Sequence, residues 1–284
     1  MSLILFTASG CVRCNIARKY MQARGIAYEE HDAVGAGKER FGRFYRSHRS
    51  EVVRGSQGIE FPVLVDGDAI RQGIAAALAY LQAGTALDEF IGKSEPAAGW
   101  VGGIRLSTGN PAALHELEAL LRLFKNNGLK IGLESDGRNA SVLEHLREEG
   151  IGDRVVMGIK GPQALYGALT GCAVDPAEIS RSMKAAAAYA DRRFETWVSP
   201  VADVTAGLRY LTPDEIAQTA SWLKEATGSS RQPYFLRWFD PAACGDARLA
   251  AVEPLPREAL FRYRTAARRH QVLTEIAADA DGSP

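Results

Sequence analysis

The segment "FTASGCVRCNIARKYM" holds Cys11 and Cys14, two of the chain's four cysteines, separated by two residues. That spacing suits three chemistries: dithiol–disulfide exchange, half of a metal site, or two small residues of a core. A zinc centre takes four ligands in structural sites, and no second ligand pair at metal spacing accompanies this one. Cys172 and Cys244 are isolated in sequence and read as small buried or half-buried residues.

The local context gives the redox reading a complete physical reason. "SLILFTA" is a β-branched and aromatic run, and so a strand. Gly10 interrupts it, and Ile16, Ala17, Tyr20, Met21 and Ala23 then recur at helical spacing up to a stop at Gly25. Cys11 therefore falls at a helix N-terminus, where unpaired N–H groups and the helix dipole stabilise an anion. A thiolate there has a lowered pKa and is the attacking species. Arg13 adds a positive charge between the two cysteines. Cys14, one turn deeper, can attack a mixed disulfide formed on Cys11.

The elements that must position this pair follow in the order β-α-β-α-β-β-α. "IAYEEHDA" reads as the second strand and "KERFGRFYRSHRSEVVR" as a helix with Arg40, Arg43, Arg46 and Arg49 at three-residue steps, either a solvated face or a docking surface for an acidic partner. "FPVLVDG" and "DAIRQG" form a hairpin across Asp66-Gly67, and "IAAALAYLQAG" closes the unit. His31 and His48 read as surface or structural residues. The turn-rich "KSEPAAG" marks a boundary. The sequence thus divides into residues 1–93, a linker 94–99, a second domain 100–245 and a helical tail 246–284 carrying Arg262, Arg264, Arg268 and Arg269. Strands and helices alternate through the second domain, which implies a parallel sheet with ligands at the C-terminal strand ends.

Composition bounds the function. The chain has 284 residues, enough for two cores, and its 34 Lys and Arg balance 34 Asp and Glu. Zero net charge argues against a dedicated nucleic-acid binder. No apolar run approaches the ~20 residues of a membrane span, and "MSLILFTASG" is too short and uncharged for a signal peptide. The expected compartment is the cytoplasm, where a close cysteine pair is more often catalytic or metal-binding than structural.

The first third resembles the glutaredoxin branch of the thioredoxin superfamily. Cys11-Val12-Arg13-Cys14 follows the first strand, Phe61-Pro62 opens the third, and Asp66-Gly67-Asp68 makes the turn after it. "GCVRCN" is most similar to small redoxins serving ribonucleotide reductases. The resemblance implies a cis Pro62 lying against Cys11 and Cys14, with Arg13, Phe61, Asp66, Gly67 and Asp68 as substrate-binding residues. It also implies a protein disulfide substrate, with glutathione or a redoxin reductase as electron donor. Glutathione-binding members often carry a double glycine after the fourth strand; here there is only Gly73, so a protein reductant is equally open.

From Trp100 to Pro241 the chain resembles the barrel of radical S-adenosylmethionine activating enzymes. "GGIRLSTGNPAAL" is similar to the family's Gly-Gly-Glu-Pro strand and turn, "GLKIGLESDG" to its next strand, "VVMGIKG" to its Asp-Ile-Lys strand, and "FETWVSPVADVT" and "PYFLRWFDP" to its last strands. The likeness implies S-adenosylmethionine or a related nucleotide at Ser107, Thr108, Gly109, Asn110, Ser135–Gly137 and Lys160. The family's C-x₃-C-x₂-C cluster motif is missing, Asn110 stands at the turn's glutamate, and Gly158 stands at the aspartate before Lys160. Three thiolates hold such a cluster with one iron open, so radical chemistry has no site here.

The expected fold is therefore α/β: a thioredoxin-like domain followed by a parallel β/α partial barrel. The expected function is dithiol–disulfide exchange by Cys11, Cys14 and Pro62, with no metal. The second domain selects a partner, possible candidates being an anaerobic radical enzyme or its activator. The alternative is a redox-gated nucleotide-binding or protein-docking module.

Overall fold

The computed structural model describes residues 3–55, 58–94, 97–203 and 207–277. The acidic end of the tail and residues 95–96 of the expected linker lie outside the described residues. The chain divides into two compact units, Met1–Leu133 and Glu134–Pro284.

The first unit begins β1 (Leu3–Thr7), α1 (Val12–Ala23), β2 (Tyr28–Asp32), α2 (Lys38–Ser47), β3 (Arg54–Gly55), β4 (Gly58–Ile59), β5 (Val63–Asp66), β6 (Ala69–Gln72) and α3 (Gly73–Ala83). The element order matches the expected one, with β3 and β4 added as a short antiparallel pair. The main sheet runs β2-β1-β5-β6, with β1 parallel to β2 and antiparallel to β5. Its central strands are buried on both faces, since successive side chains point to opposite sides: Leu5, Val63 and Leu64 are inaccessible to solvent and Phe6 nearly so.

α2 is shorter than predicted. The sequence pattern extends to Arg54, yet the helix ends at Ser47. His48 leaves the helical conformation and places Nδ1 2.9 Å from the Phe44 carbonyl oxygen, occupying an acceptor exposed at the helix end. The chain then turns so that Val52 enters the core with Phe6, Phe41 and Val63. Of the arginines at three-residue steps, Arg40 grips Glu29 with two hydrogen bonds of 2.6 and 2.9 Å.

The unit continues through β7 (Trp100–Arg105), α4 (Leu114–Asn126) and the start of β8 (Lys130–Ser135). α4 buries Leu117, Leu120, Leu121 and Phe124 at the spacing of one helical face. Its expected cap Asn110 instead caps the short 3₁₀ turn Pro111–Ala113 that leads into it, accepting from the Ala112 N–H at 3.0 Å.

The second unit contains α5 (Ala140–Glu148), β9 (Arg154–Gly158), α6 (Tyr166–Thr170), α7 (Pro176–Ala187), β10 (Asp191–Val198), β11 (Pro200–Asp203), β12 (Gly207–Tyr210), α8 (Pro213–Thr227), β13 (Tyr234–Trp238), α9 (Ala247–Ala250), α10 (Leu260–Ala267) and β14 (Thr274–Ile276). A six-stranded parallel sheet has the order β14-β13-β10-β9-β8-β7, so strand order in space follows chain order. α8 starts with the capping box its Thr-Pro-Asp-Glu sequence encodes, Thr212 and Glu215 bonding each other's backbone N–H.

The segment after residue 245 is not one helix. α10 stops at Ala267, and Thr274–Ile276 joins the sheet beside β13. The buried Gln271 brings this about: its Oε1 accepts the Gln232 N–H at 3.0 Å and its Nε2 donates to the Ser229 carbonyl at 2.8 Å. The basic stripe is used internally. Arg264 and Arg268 meet Glu275, and Arg269 meets Asp214.

Candidate functional site

The β1–α1 turn sets Cys11 as the N-cap of α1. Gly10 takes φ +73°, a conformation that β-carbon sterics disfavour in other residues. The Cys11 N–H donates to the Ala8 carbonyl at 3.2 Å, and the Cys11 sulfur accepts the Cys14 N–H at 3.1 Å. A sulfur in this position occupies the place of an N-cap oxygen, facing the positive end of the helix. No acidic residue lies in the first turn of α1.

Cys11 and Cys14 are disulfide-bonded, with Cα atoms 5.3 Å apart. Their environments differ. Cys14 is inaccessible to solvent, while Cys11 is partly exposed beside the exposed Val12. The Phe61–Pro62 peptide is cis, and the Cys11 sulfur lies 3.9 Å from the Phe61 carbonyl oxygen. Phe61 is held by an aromatic cluster, its ring centroid 5.2 Å from that of Phe41. Pro62 is held by its carbonyl, which accepts the Gly73 N–H at 2.8 Å. The structure thus brings Cys11, Arg13, Cys14, Phe61 and Pro62 together.

Arg13 is turned inward. Its guanidinium donates to the Ala97 and Trp100 carbonyls at 2.8 and 2.7 Å and lies 3.6 Å from Glu60. It fastens the cysteine turn to the chain leading into β7. Glu60, expected from the sequence to offer only its backbone to a substrate strand, is its acidic partner; burial pushes the Glu60 carboxyl above the ordinary range, and the Arg13 charge opposes that shift. The signal available in the sequence was a lone glutamate between glycine-containing and proline-containing turns, which is too common to select.

Asp66, Gly67 and Asp68 are not brought to the cysteines. They form the β5–β6 turn, with Gly67 at φ +59°, at the far end of the strand that Pro62 precedes. Four strand residues span roughly 13 Å. Asp66 accepts a hydrogen bond from the Tyr80 hydroxyl at 2.9 Å, fixing α3 to the sheet.

The second group of predicted residues is divided between the units. Ser107–Asn110 follow β7 in the first, and Lys160 follows β9 in the second. At Gly109 the space that a ligand approaching the backbone would take is occupied by the Phe90 ring. Thr108 donates to the Glu89 carbonyl. The Ser135–Gly137 turn is likewise closed by protein: Ser135 Oγ accepts the Gly137 N–H, Ser182 Oγ donates to the Gly137 carbonyl, and Ile179 and Met157 abut Gly137.

Lys160 does line a cavity of about 570 Å³, together with Glu195, Trp197, Trp238, Cys244 and Arg257. The cavity lies at the C-terminal ends of β9, β10 and β13, the edge where parallel sheets carry ligands. Arg257 stacks 4.6 Å from the Trp238 ring and Arg237 4.7 Å from Trp197, while Glu195 sits 3.3 Å from Arg237. Apart from Lys160, sequence reading missed this group. Its signal was the alternation "RFETW", with Arg193, Glu195 and Trp197 at every second position of a strand otherwise read as buried. Among the described residues, no cluster of three or more His, Cys, Asp or Glu is placed to hold a metal ion, and no helix is long and apolar enough to cross a membrane.

No protein-family model matches the sequence, and neither does any curated protein. Among solved structures the chain is similar to a domain of pyruvate-formate lyase-activating enzyme from Bacteroides vulgatus, at 15% identity and a TM-score of 0.41, over 63% of this chain and 100% of that one. It is also similar to the radical SAM enzyme coproporphyrinogen III oxidase, HemN, from Escherichia coli, at 18% identity and a TM-score of 0.41, over 59% of this chain and 40% of that one.

Proposed function

We propose that the chain is a thiol–disulfide oxidoreductase that acts on protein disulfides through Cys11 and Cys14. The observation that carries this reading is the asymmetric pair: a reachable Cys11 capping α1, bonded to a buried Cys14 and bordered by the Phe61–Pro62 segment. The thioredoxin-like reading of the first domain is supported by the element order and by the β2-β1-β5-β6 sheet.

In the reducing direction the Cys11 thiolate attacks one sulfur of a target disulfide. A Cys11–target bond forms and the other target sulfur leaves as thiolate. The helix N-terminus favours the attacking anion. Cys14 then loses its proton and attacks the Cys11 sulfur, the mixed bond breaks, and the second target thiolate departs. The target gains two electrons, the pair is oxidised, and either two glutathione thiols, which leave as glutathione disulfide, or the dithiol of a redoxin reductase restores it. The Glu60–Phe61 backbone offers a target strand polar groups beside the sulfur, and the rest of the chain selects which target docks. The proposed partner is an anaerobic radical enzyme or its activator.

The test is reduction of a protein disulfide by the pre-reduced full chain. Wild type should reduce about one disulfide per chain. Cys14→Ser should stall with target attached to Cys11, and Cys11→Ser should do neither. Equal reduction by all three would refute the reading.

A second reading has one observation in its favour, the cavity holding Lys160, Trp197, Trp238 and Arg257, whose aromatic and basic lining suits a planar, acidic ligand. Here the second domain binds a nucleotide or S-adenosylmethionine, and the cysteine pair gates that binding. Calorimetric titration of the oxidised and reduced chain with adenosyl ligands tests it; no heat in either state rejects it.

A further inference from the structure

The thiol-exchange reading leaves open which thiols reach Cys11, and the segment leading into Phe61 bears on that choice. A cavity of about 470 Å³ in the first unit is lined by Glu60, Gln72, the first turn of α3, Asp88 and Lys93. Glu60 adjoins Phe61, whose carbonyl faces the Cys11 sulfur. The Glu60 carboxylate is pressed against the first residue of α3: a β-carbon on Gly73 would fall 2.9 Å from its Cδ and from one oxygen.

The start of α3 carries no anion of its own, although Asp88 also lines the cavity. Its first turn contains no acidic residue, and Gln72 at the cap position does not cap it, since its amide is committed to Val53 N–H and carbonyl at 2.8 Å each. The positive end of the helix, which attracts carboxylates and phosphates, is thus met by a carboxylate of the chain itself. Two nearby cations, Arg13 and Arg71, are engaged too. Arg13 holds two carbonyls and Glu60, and Arg71 binds Asp88 at 2.8 Å.

We propose that Glu60 is a specificity-determining residue of the exchange site, whose resident carboxylate excludes acidic thiols and admits cysteine segments with neutral or basic flanks. A second carboxylate arriving at the start of α3 meets the like charge of Glu60 where a helix end would otherwise welcome it. A lysine or arginine flank meets the opposite charge. This rests on the thiol-exchange reading.

The experiment follows reduction of the Cys11–Cys14 disulfide in the oxidised full chain by three reductants: dithiothreitol, a Lys-Cys-Lys peptide and a Glu-Cys-Glu peptide. Rates are normalised to thiolate concentration. Wild type should favour the basic peptide by about tenfold or more at low salt, because like charges brought together are strongly disfavoured. Glu60→Gln should shrink that ratio several-fold, chiefly by speeding the acidic peptide relative to dithiothreitol in the same variant. Glu60→Asp, which keeps the charge, should keep a preference for the basic peptide. Glu148→Gln, an exposed charge change in the second unit, should leave the ratio as in wild type. A wild-type ratio near one, or a ratio unmoved in a folded Glu60→Gln chain, overturns the inference. If Glu60→Gln fails to fold, the wild-type ratio and Glu60→Asp decide. Failure of dithiothreitol itself to reduce the pair overturns the thiol-exchange reading beneath it, a different result from loss of charge preference alone.

Discussion

The β1–α1 and β7–α4 turns use the same local vocabulary with opposite outcomes. Each ends a strand, passes through a glycine and places a capping side chain at a helical start: Gly10 and Cys11 in one, Gly109 and Asn110 in the other. In the first, the capping atom is a sulfur that is partly exposed and bonded to a buried neighbour. In the second, Phe90 covers Gly109 and the Glu89 carbonyl takes the Thr108 hydroxyl. A strand-to-helix turn can meet a ligand only where tertiary packing leaves it open. That property is set by residues distant in sequence.

The comparison is easiest to break at the reactive turn. Cys11→Ser should abolish disulfide exchange altogether while leaving thermal unfolding of the reduced protein within a degree or two of wild type, as seen by a turnover assay and calorimetry. The closed turn should behave in the reverse way. Phe90→Ala removes a fully buried ring and should cost about 3–5 kcal/mol of stability in denaturant titration, while the folded fraction retains exchange.

Arg13 links the reactive turn to the start of β7. Arg13→Met removes two hydrogen bonds to carbonyls and leaves Glu60 half-buried without its cation. The expected loss is about 1–3 kcal/mol, accompanied by slower exchange at unchanged target affinity.

The smallest effect concerns pH. Burial raises the Glu60 carboxyl above its unfolded value, so the native state holds that proton more tightly than the unfolded chain. Stability from this group is complete below the unfolded pKa and is lost as pH rises through the folded one. Glu60→Gln, which has no such titration, should gain in melting temperature on wild type between acid and neutral pH. A difference that stays flat would place the Glu60 charge in ordinary solvent.

The parts legible in the sequence were those fixed by local rules. The strand–CxxC–helix order at Cys11, the hairpin at Asp66-Gly67 and the capping box at Thr212 each follow from neighbours a few residues apart. What was illegible came from distant contacts. α2 ends early because Val52 is drawn into the core around Phe6. Thr274–Ile276 becomes a strand because Gln271 is held by Ser229 and Gln232. Asp66–Asp68 sit at the wrong end of β5 to serve Cys11, which no spacing rule shows. The Glu60 side chain and the Trp197–Trp238 cavity wall escaped notice because neither carries a motif; both emerge only when the chain is folded.

The central claim is that Cys11 is the activated nucleophile and Cys14 the buried resolving thiol. Alkylation of the reduced chain with iodoacetamide across a range of pH, read at each cysteine by peptide mass spectrometry, tests it most directly. The account predicts that Cys11 is modified first, with a midpoint clearly below the ~8.5 of a free thiol, and that Cys14 lags throughout. Modification of Cys14 first, or of both cysteines with the midpoint of a free thiol, would contradict it.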